Sequence, residues 1–483
     1  MSKVVLLIAL PLMTAFLLPV IARVSQFAGR WAGPAVLLLT SVIGILLWGE
    51  LGDGTFSIEL GGFRPPLGIT LYVDQLALAL ALAITIGTLL LWPGEGEDPL
   101  RQSTLALLLA GSGSGLALSG DLFNIYVLYE LVAVVSYGLV ASRGTAAVYA
   151  ATLRYVIISS FGAAMALAGI ALVYQATGTL NLAQLAQLAP EKLNNSQGLA
   201  AFVLLLIGFG VKAELFPVNA WVPEVYATAS SRVSALLAGI VSKLALVIIV
   251  RLLILVFHQP EALTLMLVLG ILGVVTGELA AWRARDLNRM LAFSSIGQLG
   301  VMFIAFSIPG PAGVFAGLAV ALHHMIVKPA LFLLAERWQG SLQNLAGAAR
   351  NSPLGAGLFI LLALSLIGVP PLPGFWAKLL VLVSLAEQAQ ALYYLGAGVI
   401  LAGAALEANY LFRVASRFYH APNGQAAVAA PRGTDLATAG LLGAGLLASV
   451  FVMTPLATQL EGIALQAADA GRYVETVAPE VLP

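Results

Sequence analysis

Of the 483 residues, 60% are hydrophobic and only 10% charged, whereas a soluble domain carries about 25% charged residues. The 23 Lys+Arg balance the 23 Asp+Glu, which leaves no basic face for nucleic acid, and the lack of cysteine excludes disulfides, iron–sulfur clusters and thiolate metal sites. With a mean hydropathy of +0.97 the chain reads as a membrane protein rather than a soluble enzyme.

The apolar stretches run unbroken for about 18 residues or more, which rules out the alternating strands of an outer-membrane barrel. A spanning helix takes roughly 20 apolar residues, and about fourteen such runs follow one another. They lie near 3–22, 32–49, 71–92, 102–120, 121–141, 152–174, 198–217, 231–256, 263–282, 288–308, 311–336, 353–384, 390–415 and 436–459. The first is read as a helix and not a signal peptide, because Lys3 is its only n-region charge and no A-x-A site precedes Arg23. Between the runs the connections are short, with two exceptions. Residues 50–70 alternate and turn like an external β-hairpin, and residues 178–197 read as a short surface helix capped by Asn194, Asn195 and Ser196.

Connections after odd-numbered runs hold Arg23 and Arg30, Arg101, Arg143, Arg232, Arg283 and Arg285, Arg337 and Arg350, then Arg417 and Arg432. Those after even-numbered runs hold little beyond Arg64 and Lys192. The positive-inside rule therefore places the odd connections in the cytoplasm of an inner (plasma) membrane and both termini outside. The expected organisation is one membrane domain over 1–483. It divides into N-terminal helices with the hairpin at 1–100, a first half at 101–257, a second at 262–420 and a last helix at 435–460.

Two of the runs are interrupted by proline, in VKAELFPVNAWVPE at 211–224 and GVPPLPGFWAKL at 368–379, and each carries a lysine near its break, Lys212 and Lys378. Paired broken helices in two halves point to an inverted-repeat transporter. Packing kinks are the plainer explanation, but they leave the two lysines unexplained.

Each intramembrane charge costs about 2.5–3.5 kcal/mol on insertion scales, so each needs a reason. Glu130, Lys212, Lys243, Lys328, Lys378 and Glu407 all lie within apolar runs, and His324 stands one turn before Lys328. Snorkelling would account for Lys192 and for Lys378 near its break, and an interhelical pair with Lys212 would account for Glu130. Six such sites favour an ion path. Burial disfavours a charged ammonium and a nearby carboxylate restores it, so such a lysine gains or loses a proton as its partner moves. His323 and His324, as imidazoles, are plausible links, with packed core histidines as the alternative.

The motifs GGFRPPLGITLYVDQL, DLFNIYVLYEL, GFGVKAELFPVNAWVPE, SALLAGIVSKL, RDLNRMLAFSSIGQLG, HHMIVKPALFLL and GVPPLPGFWAKL occur in this order. In them the chain resembles the antiporter-like membrane subunits shared by respiratory complex I and Mrp-type sodium/proton antiporters, most nearly the Mrp D subunit and complex I subunits M and N. The resemblance implies an all-α polytopic fold of about 14 transmembrane helices, with two inverted five-helix repeats and breaks in helices seven and twelve. It also implies a proton path: Glu130 as the fifth-helix glutamate, Lys212 in the broken seventh helix, Lys243 joining two half-channels, His324 and Lys328 as the eleventh-helix pair, and Lys378 in the broken twelfth. A titratable group of either sign is expected to serve at 378.

Three departures stand out. Val320 replaces a histidine found in some relatives, Ser230, Ser231 and Arg232 replace prolines, and Glu214 is an added acid, either a local counter-ion or facing the external surface. The expected function is proton translocation in an Mrp D-like cation/proton antiporter, with sodium as the exchanged ion. The alternative is a membrane component of a complex I-type enzyme or a membrane hydrogenase, powered by redox chemistry in its partners. A non-transporting membrane scaffold is the reading from another class, and the full row of charges argues against it. The expected partners are other membrane subunits and the lipid bilayer, with no nucleic acid. No cofactor or metal site is expected, since there is neither a glycine-rich nucleotide loop nor a cysteine.

Overall fold

The computed structural model describes residues 2–93, 98–338, 340–421 and 429–477. The chain begins with α1 (Ser2–Val24), α2 (Gln26–Leu51), β1 (Phe56–Glu59), β2 (Thr70–Val73), α3 (Gln75–Leu90), α4 (Pro99–Leu118), α5 (Leu122–Ala141) and α6 (Ala146–Thr177). Then come α7 (Leu182–Lys192), α8 (Ser196–Gly210), α9 (Val222–Thr228), α10 (Ser231–Leu236), α11 (Ser242–Leu255), α12 (Pro260–Arg283), α13 (Leu287–Phe306) and α14 (Pro311–Ala335). It closes with α15 (Ala348–Asn351), α16 (Pro353–Ile367), α17 (Pro373–Glu387), α18 (Ala391–Phe418), α19 (Gly433–Phe451), α20 (Met453–Ala468) and α21 (Ala470–Val477).

Thirteen of the apolar runs fall on helices, the run at 71–92 beginning on β2 before α3, and 10 helices of the described residues are long and apolar enough to cross a membrane. Helices α3, α8 and α16 are apolar but shorter. In the run at 353–384, α16 ends at Ile367 and α17 begins at Pro373; between them Pro370 and Pro371 lack the amide that would continue the ladder. In the last run α19 ends at Phe451 and α20 begins at Met453, so the single last helix expected at 435–460 is two. In the run at 198–217, α8 ends at Gly210 and the next helix, α9, begins only at Val222. Gly368 closes α16 with φ of 95°, donating its amide to Leu364 and Ser365, a conformation that costs glycine little.

Several helices are begun by short polar side chains that accept a free first-turn amide. Asp74 caps α3, Asp98 α4, Asp121 α5 and Asp286 α13. The surface helix expected at 178–197 is α7, but its caps differ from the expectation. Asn181 caps α7, whereas Asn195 accepts from Gly198 and starts α8. The lipid-facing stripes are equally legible: Leu153, Ile157 and Phe161 recur every fourth residue on α6 and all are exposed. By contrast, the apolar window of the Ser231–Leu255 span is 100% buried.

The chain divides into two compact units. The first takes the chain up to Ala213, residues Ile240–Leu263 and the chain from Gly462 onward. Within it α6 and α8 cross closely, and a Cβ on Gly208 would stand 2.7 Å from the Gly162 carbonyl. The hairpin expected at 50–70 is β1 paired antiparallel with β2, Phe56 opposite Val73 and Glu59 opposite Thr70, so its second strand begins at the end of the expected range. Immediately after β2, Asp74 accepts from Arg251 Nη2 at 3.0 and 2.8 Å, and the rings of Tyr72 and Tyr473 pack beside that guanidinium.

The second unit comprises Glu214–Gly239 and Thr264–Glu461. Its α12 and α13 meet along a glycine seam. A Cβ on Gly277 would lie 2.5 Å from the Gly297 amide, and one on Gly300 2.7 Å from the Gly270 carbonyl. Small residues of this kind bring helix backbones together where lipid offers no hydrophobic driving force.

Candidate functional site

In the first unit, Lys212 is the first charge of the break after α8, and it is buried. Its Nζ donates to Ser159 Oγ on α6 at 3.2 Å and stands 3.6 Å from the centroid of the Tyr129 ring on α5. That ring is fixed in turn, because Tyr129 OH donates to the Gly208 and Phe209 carbonyls at the end of α8. Glu130 follows Tyr129 in sequence and is half-buried. It acts on Lys212 electrostatically, but the two form no ion pair.

The expectation of a Glu130–Lys212 packing pair is thus corrected: a hydroxyl and a π face hold the ammonium, and Glu130 Oε1 is buried with no hydrogen-bond partner among the described residues. A cation held by an aromatic face and one neutral hydroxyl is stabilised far less than one in a buried salt bridge. Lys243 lies in the first turn of α11, which begins at Ser242 directly after a π-helical turn at Leu237–Val241. It is buried, and its Nζ donates to Ser242 Oγ at 3.1 Å. Single π turns of this type recur at functional positions.

In the second unit the charges gather between α13, α14, α16, α17 and α18. Lys328 on α14 donates to Ser294 Oγ at 2.7 Å and to the Leu291 carbonyl at 3.1 Å. His324, one turn earlier on the same helix, is fully buried. The adjacent His323 places Nε2 2.9 Å from Ser365 Oγ on α16.

Lys378 does not snorkel. Its Nζ donates to the Leu366 and Ile367 carbonyls at 2.7 and 3.1 Å, and it pairs with Glu407 Oε2 at 2.7 Å. Those carbonyls lie at the C-terminal end of α16, where the helix dipole favours a cation. Glu407 is fully buried and also accepts from Gln298 Nε2 at 2.9 and 3.1 Å. The break therefore puts Lys378 beside a half-helix end, as the sequence suggests, but the partner on α18 comes only from tertiary packing.

Glu214 does not face the external surface. It is buried, and its Oε1 accepts from Tyr226 OH on α9 at 2.7 Å. Sequence reasoning also passed over Glu278 on α12, which is buried and accepts from Tyr410 OH at 3.0 Å. The available signal was an acid flanked by apolar residues in VVTGELAAW. Its closeness to Arg283 at the helix end hid it among ordinary terminal charges.

Helices apolar enough to span a membrane, with buried lysines and acids among them, are the features of an antiporter-like membrane subunit. Residues 119–403 match the model of the NADH:quinone oxidoreductase/Mrp antiporter transmembrane family, and the chain belongs to that family. It is 31% identical over 434 residues to NADH-quinone oxidoreductase subunit N of Desulforudis audaxviator, covering 86% of each chain. It is 32% identical over 389 residues to the D subunit of the Na(+)/H(+) antiporter of Bacillus subtilis, covering 78% of this chain and 79% of the other. Its fold superposes with a TM-score of 0.91, at 29% identity, on a chain of the archaeal membrane-bound sulfane sulfur reductase, a respiratory membrane complex, covering 99% of this chain and 100% of that one. It is a polytopic membrane protein of the Mrp and complex I type.

Proposed function

We propose that the chain translocates protons through Glu130, Lys212, Lys243, His324, Lys328 and Lys378, as a subunit of a larger membrane assembly. The observation that carries this reading is the setting of Lys212: a buried ammonium held by a hydroxyl and a ring face, with Glu130 near enough to act on it and not in contact. A small movement of either group changes the cost of holding the proton, which is what a relay requires. The same logic applies to Lys378, whose proton is stabilised by Glu407 and the end of α16. The two breaks, each with its lysine, support the reading of two inverted repeats.

The particular assembly is a finer matter. The Bacillus subtilis relative supports an Mrp D-like subunit exchanging sodium for protons. The Desulforudis subunit N and the sulfane sulfur reductase support a redox-driven pump, with electron transfer in other subunits. We take the antiporter as the first reading. Everted vesicles bearing the whole assembly, without an electron donor, should then move protons against an imposed sodium gradient. Proton movement that appears only after a donor is added would replace it with the redox reading.

The arginine distribution supports a topology with both termini outside. A periplasmic reporter fused to the C-terminus should be active and a cytoplasmic reporter inactive. The reverse pattern would mean an odd number of crossings or inverted insertion.

A further inference from the structure

Glu278 is a buried acid with no role in the path described above. On α12 it lies one turn inside Trp282, and the Arg283 end of α12 packs against α18 there. Trp282 Nε1 donates to Asn409 Oδ1 at 3.1 Å, and Arg413 Nη2 donates to the Trp282 carbonyl at 2.8 Å. Trp282 itself is 42% exposed, as an aromatic residue at a membrane interface is. One turn of helix is about 5.4 Å, so Glu278 lies just beneath the arginine-bearing surface.

The surroundings are built for a carboxyl group. Tyr410 OH on α18 donates to Glu278 Oε2 at 3.0 Å. On α13 a Cβ at position 297 would stand 2.2 Å from Glu278 Oε1, so Gly297 leaves the space that the carboxyl fills. Tyr410 and Glu407 are three residues apart on α18 and so share a helical face, and Glu407 pairs with Lys378. The charges acting on Glu278 are Glu407 on α18, Lys378 on α17 and Lys328 on α14. None of the lysines is within ion-pair distance of Glu278 among the described residues.

We propose that Glu278 is a proton-carrying residue, exchanging protons between the arginine-bearing surface and the Glu407–Lys378 pair. The step balances as a proton shift. Neutral Glu278 releases its proton, by way of the Tyr410 hydroxyl or a water, to the Glu407 carboxylate. Glu278 is left as a carboxylate, and the newly neutral Glu407 loosens its hold on the Lys378 ammonium. A cation site fits less well, because Lys378 and Lys328 would repel a metal ion there.

This inference rests on the proton-translocating reading, so the test runs Lys212→Met beside Glu278→Gln, Glu278→Asp and Tyr410→Phe. All are made in the whole assembly and compared in everted vesicles at matched assembly. Glu278→Gln keeps shape and hydrogen bonding but cannot carry a proton, and it should slow translocation by about a hundredfold. Glu278→Asp should retain part of the rate. Tyr410→Phe leaves the acid in place; it should lower the rate and shift a carboxyl C=O band, absent in Glu278→Gln, in pH-jump infrared difference spectra.

A dead Lys212→Met beside a Glu278→Gln at wild-type rate would overturn this inference alone. Normal rates in both would overturn the proton-path reading itself. Should Glu278→Gln fail to assemble, Tyr410→Phe decides: an unchanged rate with an unshifted carboxyl band makes Glu278 structural. A change confined to the sodium dependence of Glu278→Asp makes the site a cation site and also overturns the proposal.

Discussion

Lys212→Ala and Glu130→Ala should each abolish proton translocation while the assembly still forms. Breaking a contacting buried ion pair typically destabilises by about 3–5 kcal/mol, because it strands a charge. Here Glu130 and Lys212 are coupled without contact, so removing one strands little. The Ser159 hydroxyl and the Tyr129 ring still hold the ammonium when Glu130 is gone. Fold and function should therefore separate: native gels read as wild type, and everted vesicles show no proton uptake. Tyr129→Phe keeps the ring but loses the hydrogen bonds that orient it, and should slow transport without stopping it. A near-normal rate in either alanine variant would remove Glu130 and Lys212 from the path.

At Lys378 the largest effect is expected in both stability and transport. Lys378→Met leaves Glu407 buried without its cation and the α16 carbonyls without their donor, a loss of about 3–5 kcal/mol. Lys378→Arg keeps a positive charge at the pair but holds its proton at any accessible pH. The arginine variant should therefore assemble and fail to pump, whereas the methionine variant should assemble poorly and fail to pump. Sequence alone suggests that Lys378→Glu keeps partial activity, but the ion pair with Glu407 leads us to expect otherwise. Lys378→Glu would set two buried carboxylates together and should be inactive, while the exchange Lys378→Glu with Glu407→Lys should recover part of the rate. Thermal stability in detergent and proton uptake, measured on the same four variants, separate the two effects. An arginine variant that pumps normally would make Lys378 a fixed counter-ion.

The membrane nature of the chain and its helices were legible in one dimension because their causes are local. Insertion depends on the apolarity of about 20 consecutive residues, whatever packs against them. The buried lysines were legible for the same reason, since a charge inside an apolar run is costly whatever packs against it. Partners were not legible, because they are set by how helices cross. The glycine seam of α12 against α13 brings Glu278 to Gly297, and the packing of α18 brings Glu407 to Lys378 and Tyr410 to Glu278. Lys212 and Glu130 looked like an ion pair by depth and sign, yet the structure seats the lysine on Ser159 and Tyr129 instead. Glu214, open in sequence to either the surface or the interior, is turned inward by the hydroxyl of Tyr226. Sequence alone marked Lys212, Lys243, Lys328 and Lys378 as charges inside apolar runs, and all four are buried, because apolarity is a property of each segment. Only the tertiary structure decided which of them meet, because contact is a property of pairs of segments far apart in the chain.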